Sequence, residues 1–467
     1  MRGILSHGAY VPFRRLDRAE INAFLGSGGG SGTRTVASYD EDTTTMGVEA
    51  ARLALATADV APVALWFTTT DPAYAEKTNA TAIHAVLRLD HDVLALDFAG
   101  AVRSGGGALR AAFDGGGPTL VVAADIRTGL PGSADEAAGG DGAAALLIGD
   151  ADDGELIAEY LGGASATTEF LDRWRTPGDG RTKQWEEKFG EVEYVPLGEQ
   201  AWNEALKAAG VSAEQIDRVA VVGPHARAVK GLTRKLGVHD DAVADDLTKA
   251  VGQCGAAHPG LALAAMLDQA SPRQVLALVS VADGVDVVVV RTTDALAARQ
   301  SGRPLATQIE HGGAVRYAKF LSWRGMLTVE PPRRPEPARV SASAAARADE
   351  WKFGFVGSRD RASGAVHLPP SRVSMVGGAV DDMEPIPMAD AQGTIVTFTV
   401  DRLAYSPSPP VVFAVVDFEG GGRLPIELTD VDEDDVAIGG QVEMTFRRLN
   451  SADGIHNYFW KARPVRA

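Results

Sequence analysis

The chain of 467 residues has a single cysteine, Cys254, so it can form no internal disulfide and no multi-thiolate metal knuckle. It also lacks any run approaching the ~20 uninterrupted apolar residues that a membrane-spanning helix needs. The opening MRGILSHGAYVPF has one arginine followed by mixed residues, without the apolar core of a secretory signal, so the expected location is the cytoplasm. Basic residues are in deficit: 45 Lys and Arg stand against 62 Asp and Glu, a formal charge of −17. Without a basic face or a long Lys/Arg run, a bare nucleic-acid binder is excluded. What remains, 45% hydrophobic and 23% charged, is the balance of a globular protein long enough for two or three domains.

Apolar runs bounded by turn residues fall at Val63–Phe67, Val93–Phe98, Leu120–Ala124, Ala143–Ile148, Arg218–Val222 and Val275–Val281. Helical patterns lie between several of them, at Thr44–Ala56, Asn79–Leu87 and Gly105–Phe113. Continuous apolar strands alternating with helices predict an α/β architecture with covered sheets. The pattern occurs twice, over residues 1–155 and again over 156–329. At Glu330 the composition changes to Glu-Pro-Pro-Arg-Arg-Pro-Glu-Pro, which predicts an extended linker over 330–345. Beyond it the chain reads as short strands with turn signals, including the hairpin turn at Glu419-Gly-Gly-Gly, which predicts a small all-β barrel over 386–467. The stretch Gly26-Ser-Gly-Gly-Gly-Ser-Gly has no Lys-Ser/Thr after it and reads as a surface loop, not a phosphate loop.

Several segments, in order, resemble the thiolase superfamily, and most closely its archaeal-type hydroxymethylglutaryl-CoA synthase branch, with the related ketoacyl synthase III pattern. They are Ile4–Pro12, the helix start at Asp40-Glu-Asp-Thr-Thr-Thr-Met-Gly, the stretch Pro131–Gly149 that closes the first half, and Tyr317–Gly325. The resemblance implies a five-layered αβαβα body. Residues 346–467, through Trp351–Val373 and Gly393–Phe446, resemble the acyl-CoA-associated OB-fold proteins, in which a rubredoxin-like zinc ribbon precedes the barrel.

The resemblance also implies a site, and most of its chemistry is missing. The family sets a nucleophilic cysteine at a strand-to-helix turn, where the helix N-terminus favours the thiolate. Here that turn is Asp97-Phe-Ala-Gly-Ala-Val-Arg-Ser, and the cysteine position holds Val102, which cannot attack a thioester. The general acid/base glutamate falls at Thr70, with Asp71 beside it, and the carbonyl-binding asparagine at Gln253. Only the histidine is retained, as His225, which reads either as a functional group or as a turn histidine satisfied by the next helix. Cys254 reads as a small buried thiol, and His258 as a surface histidine at a helix start or one facing the same cavity as His225. Arg227, Lys230, Arg234 and Lys235 are candidate contacts for CoA phosphates or a solvated helix face. In the ribbon, the four ligand positions hold Gly357, Asp360, Ser374 and Gly377, with His367 nearby, a set without thiolates that predicts no zinc.

The expectation is an acyl-CoA-binding protein without a covalent intermediate or bound metal. It would be homodimeric through Val93–Phe98 and work as an accessory subunit with a thiolase partner. The alternative is a cysteine-independent C–C lyase, of retro-aldolase type, using His225 with Tyr74 or Tyr317 on an acyl-CoA.

Overall fold

A computed structural model of the chain describes residues 1–299 and 302–466. Two compact units are present. The first holds Met1–Ala37, Met46–Thr81 and Asp90–Phe320, and the second holds Ser38–Thr45, Ala82–Leu89 and the chain from Leu321 onward. Among the described residues, no helix is long and apolar enough to cross a membrane.

The main sheet of the first unit has nine strands: β1 (Arg2–Tyr10), β2 (Ala64–Thr69), β3 (Leu94–Ala99), β4 (Thr119–Ile126), β5 (Asp141–Asp150), β6 (Ala158–Ala166), β7 (Arg218–Val222), β8 (Val275–Val281) and β9 (Val285–Thr292). They form one mixed sheet in the order β7-β8-β9-β6-β1-β5-β4-β2-β3. Its two parts share a topology. In the first, β5 runs antiparallel to β1 and β4, while β2 is parallel to β4. In the second, β9 runs antiparallel to β6 and β8, while β7 is parallel to β8. Within the sheet, Gly3–Ile4 pairs with Ala158–Glu159 where the two parts meet. The two α/β halves expected from the alternating pattern are therefore halves of one repeated plan.

Two helices of the core are α1 (Arg103–Asp114) and α4 (His258–Gln269), with α2 (Glu187–Ala209) and α3 (Ala226–Thr233) between them in sequence. Every residue of α4 from His258 to Leu267 is buried. A helix apolar on all sides belongs inside, and its Leu263, Met266 and Leu267 share a core with Ala108, Leu109 and Phe113 of α1 and strand residues of both halves.

In the second unit, three short strands, β10 (Val356–Asp360), β11 (Val366–His367) and β12 (Met383–Pro387), make a small sheet where the ribbon was expected. The Pro-rich stretch gives way to a helix at Ala342–Arg347, capped by the Ser341 hydroxyl, so the expected extended linker is shortened at its end. Strands β13 (Gly393–Asp401), β14 (Val411–Phe418), β15 (Arg423–Leu428), β16 (Gln441–Ala452) and β17 (Ile455–Pro464) then close a barrel in the order β13-β14-β15-β17-β16. Alternation fixes the register: Val412, Ala414, Val416 and Phe418 point inward while Phe413 faces out.

The second unit also buries charge. Lys461 lies 2.9 Å from Asp40 and also pairs with Glu427, and Arg447 pairs with Asp430 at 3.0 Å and Glu41 at 3.3 Å. Tyr458 donates to Asp42 at 2.7 Å. Burial works against the Asp40 carboxylate, but Lys461 and Arg447 outweigh it and hold its pKa well below the usual range.

Candidate active site

The site begins at strand ends. A cavity of about 710 Å³ is lined by Thr70, Val102, Arg127, Pro224 and Asp283, each within a few residues of the carboxyl end of β2, β3, β4, β7 or β8. Loops at these ends are where open α/β sheets place ligands. Val102 is half-buried at the N-cap of α1 and lines this cavity.

Thr70 is held from below. Its hydroxyl lies 2.9 Å from each oxygen of Asp125, and its backbone N–H donates to the same carboxylate at 3.0 Å. Asp125 also accepts from Ala256 N–H at 2.9 Å, so one buried acid ties the loop after β2 to the loop before α4. A Cβ on Gly255, whose φ is +53°, would stand 1.8 Å from that carboxylate, so only glycine permits the approach. Burial raises the Asp125 pKa, against the pull of Arg127 and the donors around it. Asp71 is exposed and lines neither this cavity nor its neighbour.

The neighbour, about 570 Å³, is lined by Arg18, Lys230, Arg234, Gln253 and His258, and Pro224 borders both. Gln253 spends its side-chain oxygen on Gly255 N–H at 2.7 Å. Of the basic cluster expected near a CoA entrance, Lys230 and Arg234 line this cavity. Arg227 instead meets Glu187 and Glu191, and Lys235 meets Glu199. Contrary to the surface role expected of it, His258 is buried: its Nδ1 accepts from Cys254 N–H at 3.1 Å and its Nε2 donates to the Asp246 carbonyl at 2.8 Å. Burial lowers its pKa, which fits this neutral tautomer. Cys254 is fully buried, and desolvation pushes its thiol up, as an inert structural thiol requires.

His225 faces elsewhere. It caps α3, its Nδ1 accepting from Ala228 N–H at 3.0 Å, and it lines neither cavity. Its Nε2 lies 2.6 Å from where a Cβ on Gly190 would stand, a point also 2.8 Å from Asp172 Oδ1. The ring is 5.8 Å from that of Tyr194, which reaches the larger cavity and whose hydroxyl accepts from Asp283 N–H. Burial raises the Asp172 carboxyl, with His225 pulling the other way. Tyr74 and Tyr317 also line neither cavity, and Tyr317 donates to Glu136 at 3.0 Å.

Against known proteins, the chain matches hydroxymethylglutaryl-CoA synthases over most of their length. The enzyme of Pyrococcus horikoshii is 30% identical over 322 residues, 66% of this chain and 90% of the relative. The chain belongs to the hydroxymethylglutaryl-CoA synthase family. The Pyrococcus furiosus synthase is 31% identical over 294 residues, covering 60% of this chain and 83% of the relative. Solved structures share the fold: an HMG-CoA synthase complexed with CoA has a TM-score of 0.58 at 16% identity, covering 73% of this chain and 93% of that one. A 3-oxoacyl-[acyl-carrier-protein] synthase III of Aquifex aeolicus VF5 has a TM-score of 0.54 at 20% identity, covering 62% of this chain and all of that one. The family model of the ChsH2 C-terminal OB-fold domain matches residues 386–447, from the end of β12 through β13, β14 and β15 into β16 of the closed barrel. The body is thus thiolase-like and the C-terminal barrel an OB-fold.

Within this synthase family member, the candidate ribbon positions are joined by hydrogen bonds. Asp360 accepts from the Ser363 hydroxyl and Ala362 N–H, and Ser363 first among its donors draws its pKa down to about 2. Ser374 donates from Oγ to the Val376 carbonyl, and His367 Nε2 accepts from Met375 N–H at 3.0 Å. Gly357 lies in β10 and Gly377 in the turn, at φ +83°. Among the described residues, no group of three or more His, Cys, Asp or Glu is placed to hold a metal.

Sequence reasoning missed Asp125, Arg127 and Arg18. For the first two a signal existed: Asp125-Ile-Arg127 ends the apolar run of β4, and polar residues at a strand's carboxyl end point to a site. Arg18 gives none, since its place follows from bonds to the Ser31 and Thr248 carbonyls that only the fold brings together.

Proposed function

We propose that the body binds a CoA thioester without forming a covalent acyl-enzyme. The observation that carries this is the pair of adjoining cavities, one open beside Val102 and one bordered by Arg18, Lys230 and Arg234. The cationic cavity suits the phosphates of CoA, and the cavity beside Val102 suits the acyl group. The relatives named for HMG-CoA synthesis, and the neighbour complexed with CoA, support the same ligand class. Calorimetry with acetyl-CoA tests it: saturable binding that Lys230→Glu with Arg234→Glu weakens at least tenfold is expected, and no heat of binding refutes it. Val102→Cys sharpens the test, because transfer of the acyl group to that thiol would place the thioester beside residue 102.

The same reading makes the chain a homodimer and an accessory subunit of a thiolase partner. Support for the dimer is the edge strand β3, whose Leu94 and Leu96 are 54% and 41% exposed on an unpaired sheet edge. Support for the accessory role is the valine at residue 102 and the OB-fold barrel matched by the ChsH2 family model. Native mass spectrometry from the host decides it: a thiolase in fixed stoichiometry supports the subunit role, and an isolated dimer removes it.

A further inference from the structure

We propose that Thr70 and Asp125 form a proton relay acting on a 3-hydroxyacyl-CoA, with Thr70 touching the substrate and Asp125 holding the proton beneath it. The inference rests on the CoA-thioester reading above and names the chemistry that reading leaves open.

The hydrogen bonds fix the direction of the relay. Arg127 Nη1 donates to Thr70 Oγ1 at 3.0 Å, and a guanidinium has only donors, so the hydroxyl must be the acceptor there. Its own proton is left for Asp125, whose two oxygens both stand 2.9 Å away. One lone pair of Oγ1 remains, on a residue that lines the cavity beside Val102. The position given by resemblance to a carboxylate base thus presents a hydroxyl with a buried carboxylate behind it. Burial of Asp125 favours its protonated form, so it can hold a proton for part of a turnover. His225 cannot take this part as placed, because its Nε2 is turned toward Gly190 and Asp172.

The step balances without an oxidant, a reductant or a covalent intermediate. Thr70 Oγ takes the proton of the substrate's β-hydroxyl as its own proton passes to Asp125. The C2–C3 bond breaks, C3–O becomes a carbonyl, and the electron pair is held as the thioester enolate. Asp125 then returns its proton through Thr70 to C2. The products are a ketone or aldehyde and a shortened acyl-CoA. Arg127, donating to the relay oxygen, keeps the Thr70 proton turned toward Asp125 throughout the step.

The test uses the full chain with two probes, 3-hydroxybutanoyl-CoA and 3-hydroxy-3-methylbutanoyl-CoA, and follows release of acetyl-CoA by chromatography. The unmodified protein is expected to cleave at least one. Thr70→Val should lower kcat about 100-fold or more, the lower end of what general acid–base catalysis contributes, while acetyl-CoA affinity by calorimetry stays within about twofold. Thr70→Ser, which restores the hydroxyl, should recover kcat to within about tenfold. Asp125 must be ionised to accept the proton, so kcat should fall as pH drops through a pKa above the usual carboxylate range, and that limb should vanish in Thr70→Val. Binding of acetyl-CoA without cleavage of either probe overturns the relay alone, as does Thr70→Val at the unmodified rate or with the pH limb intact. Absence of binding overturns the relay together with the CoA-thioester reading.

Discussion

The turn at Val102 and the hairpins at Asp360 and Ser374 are both places where the family resemblance expects sulfur and the sequence supplies none. The two have been resolved in opposite ways. Beside Val102 about 710 Å³ stays open. At the hairpins the equivalent space is laced by side-chain hydrogen bonds from Asp360, Ser374 and His367. The difference follows from what each sulfur does. A catalytic thiol adds little to folding, so on the proposed reading a valine in its place calls for no structural compensation. A structural zinc supplies of order 10 kcal/mol of folding free energy, so a ribbon that folds without one, as proposed for this chain, would need stabilisation from elsewhere. In the second unit two sources are visible. One is an aromatic cluster, in which Phe355 lies 5.7 Å from Trp460 and Trp351 lies 5.2 Å from Phe459. The other is the buried ion cluster around Lys461 and Arg447.

The contrast breaks most directly at Lys461. The residue is fully buried, and although burial opposes its charge, Asp40, Tyr39 and Glu427 raise its pKa above the ordinary lysine value. Lys461→Met removes the cation between Asp40 and Glu427, leaving Asp40 to Arg447 alone, and should cost the second unit about 3–5 kcal/mol in chemical denaturation. A loss near zero would mean that the aromatic cluster alone carries the unit.

Acid should then separate the two units. Asp40 has a depressed folded pKa, so its stabilisation is intact above the unfolded value of about 4 and is lost as pH falls toward the folded one. Asp125, Asp172 and Asp283 have raised folded pKa values, so their ionisation penalty is present at neutral pH and lifts as pH falls through those values. Tryptophan fluorescence of Trp460 and circular dichroism, followed below about pH 4, should show the barrel loosening before the body. Simultaneous loss of both signals would contradict this assignment of charges.

Much of the architecture was legible because apolar strands in a sheet covered on both faces leave little ambiguity. Arg218–Val222 and Val275–Val281 have in the structure the bounds that the apolar runs predict, and α4 starts at His258 as read. The site was legible only along the chain. Val102 and Thr70 could be placed because Thr70 directly follows β2 and Val102 lies in the short turn between β3 and α1. The orientation of His225 could not, because it depends on Gly190 of α2 and on Asp172, 35 and 53 residues before it. The inclusion of Ser38–Thr45 in the second unit was hidden for the same reason, since its acidic residues meet Arg447 and Lys461 some 400 residues later.

Two smaller effects sharpen the comparison. Val102→Phe should fill the cavity beside α1 and weaken acetyl-CoA binding at least tenfold, or about 1.4 kcal/mol, because the half-buried residue has open space in front of it. Unchanged affinity would move the acyl group to another part of the body. His367→Ala deletes the acceptor for Met375 N–H and should cost about 1 kcal/mol, the worth of one hydrogen bond. If hydrogen bonding has taken over from metal at the hairpins, neither zinc nor a chelator should move the melting temperature of the unmodified chain. A rise with zinc would show that Asp360 and His367 still recruit a cation, and the two regions would then differ in degree of loss instead of in kind.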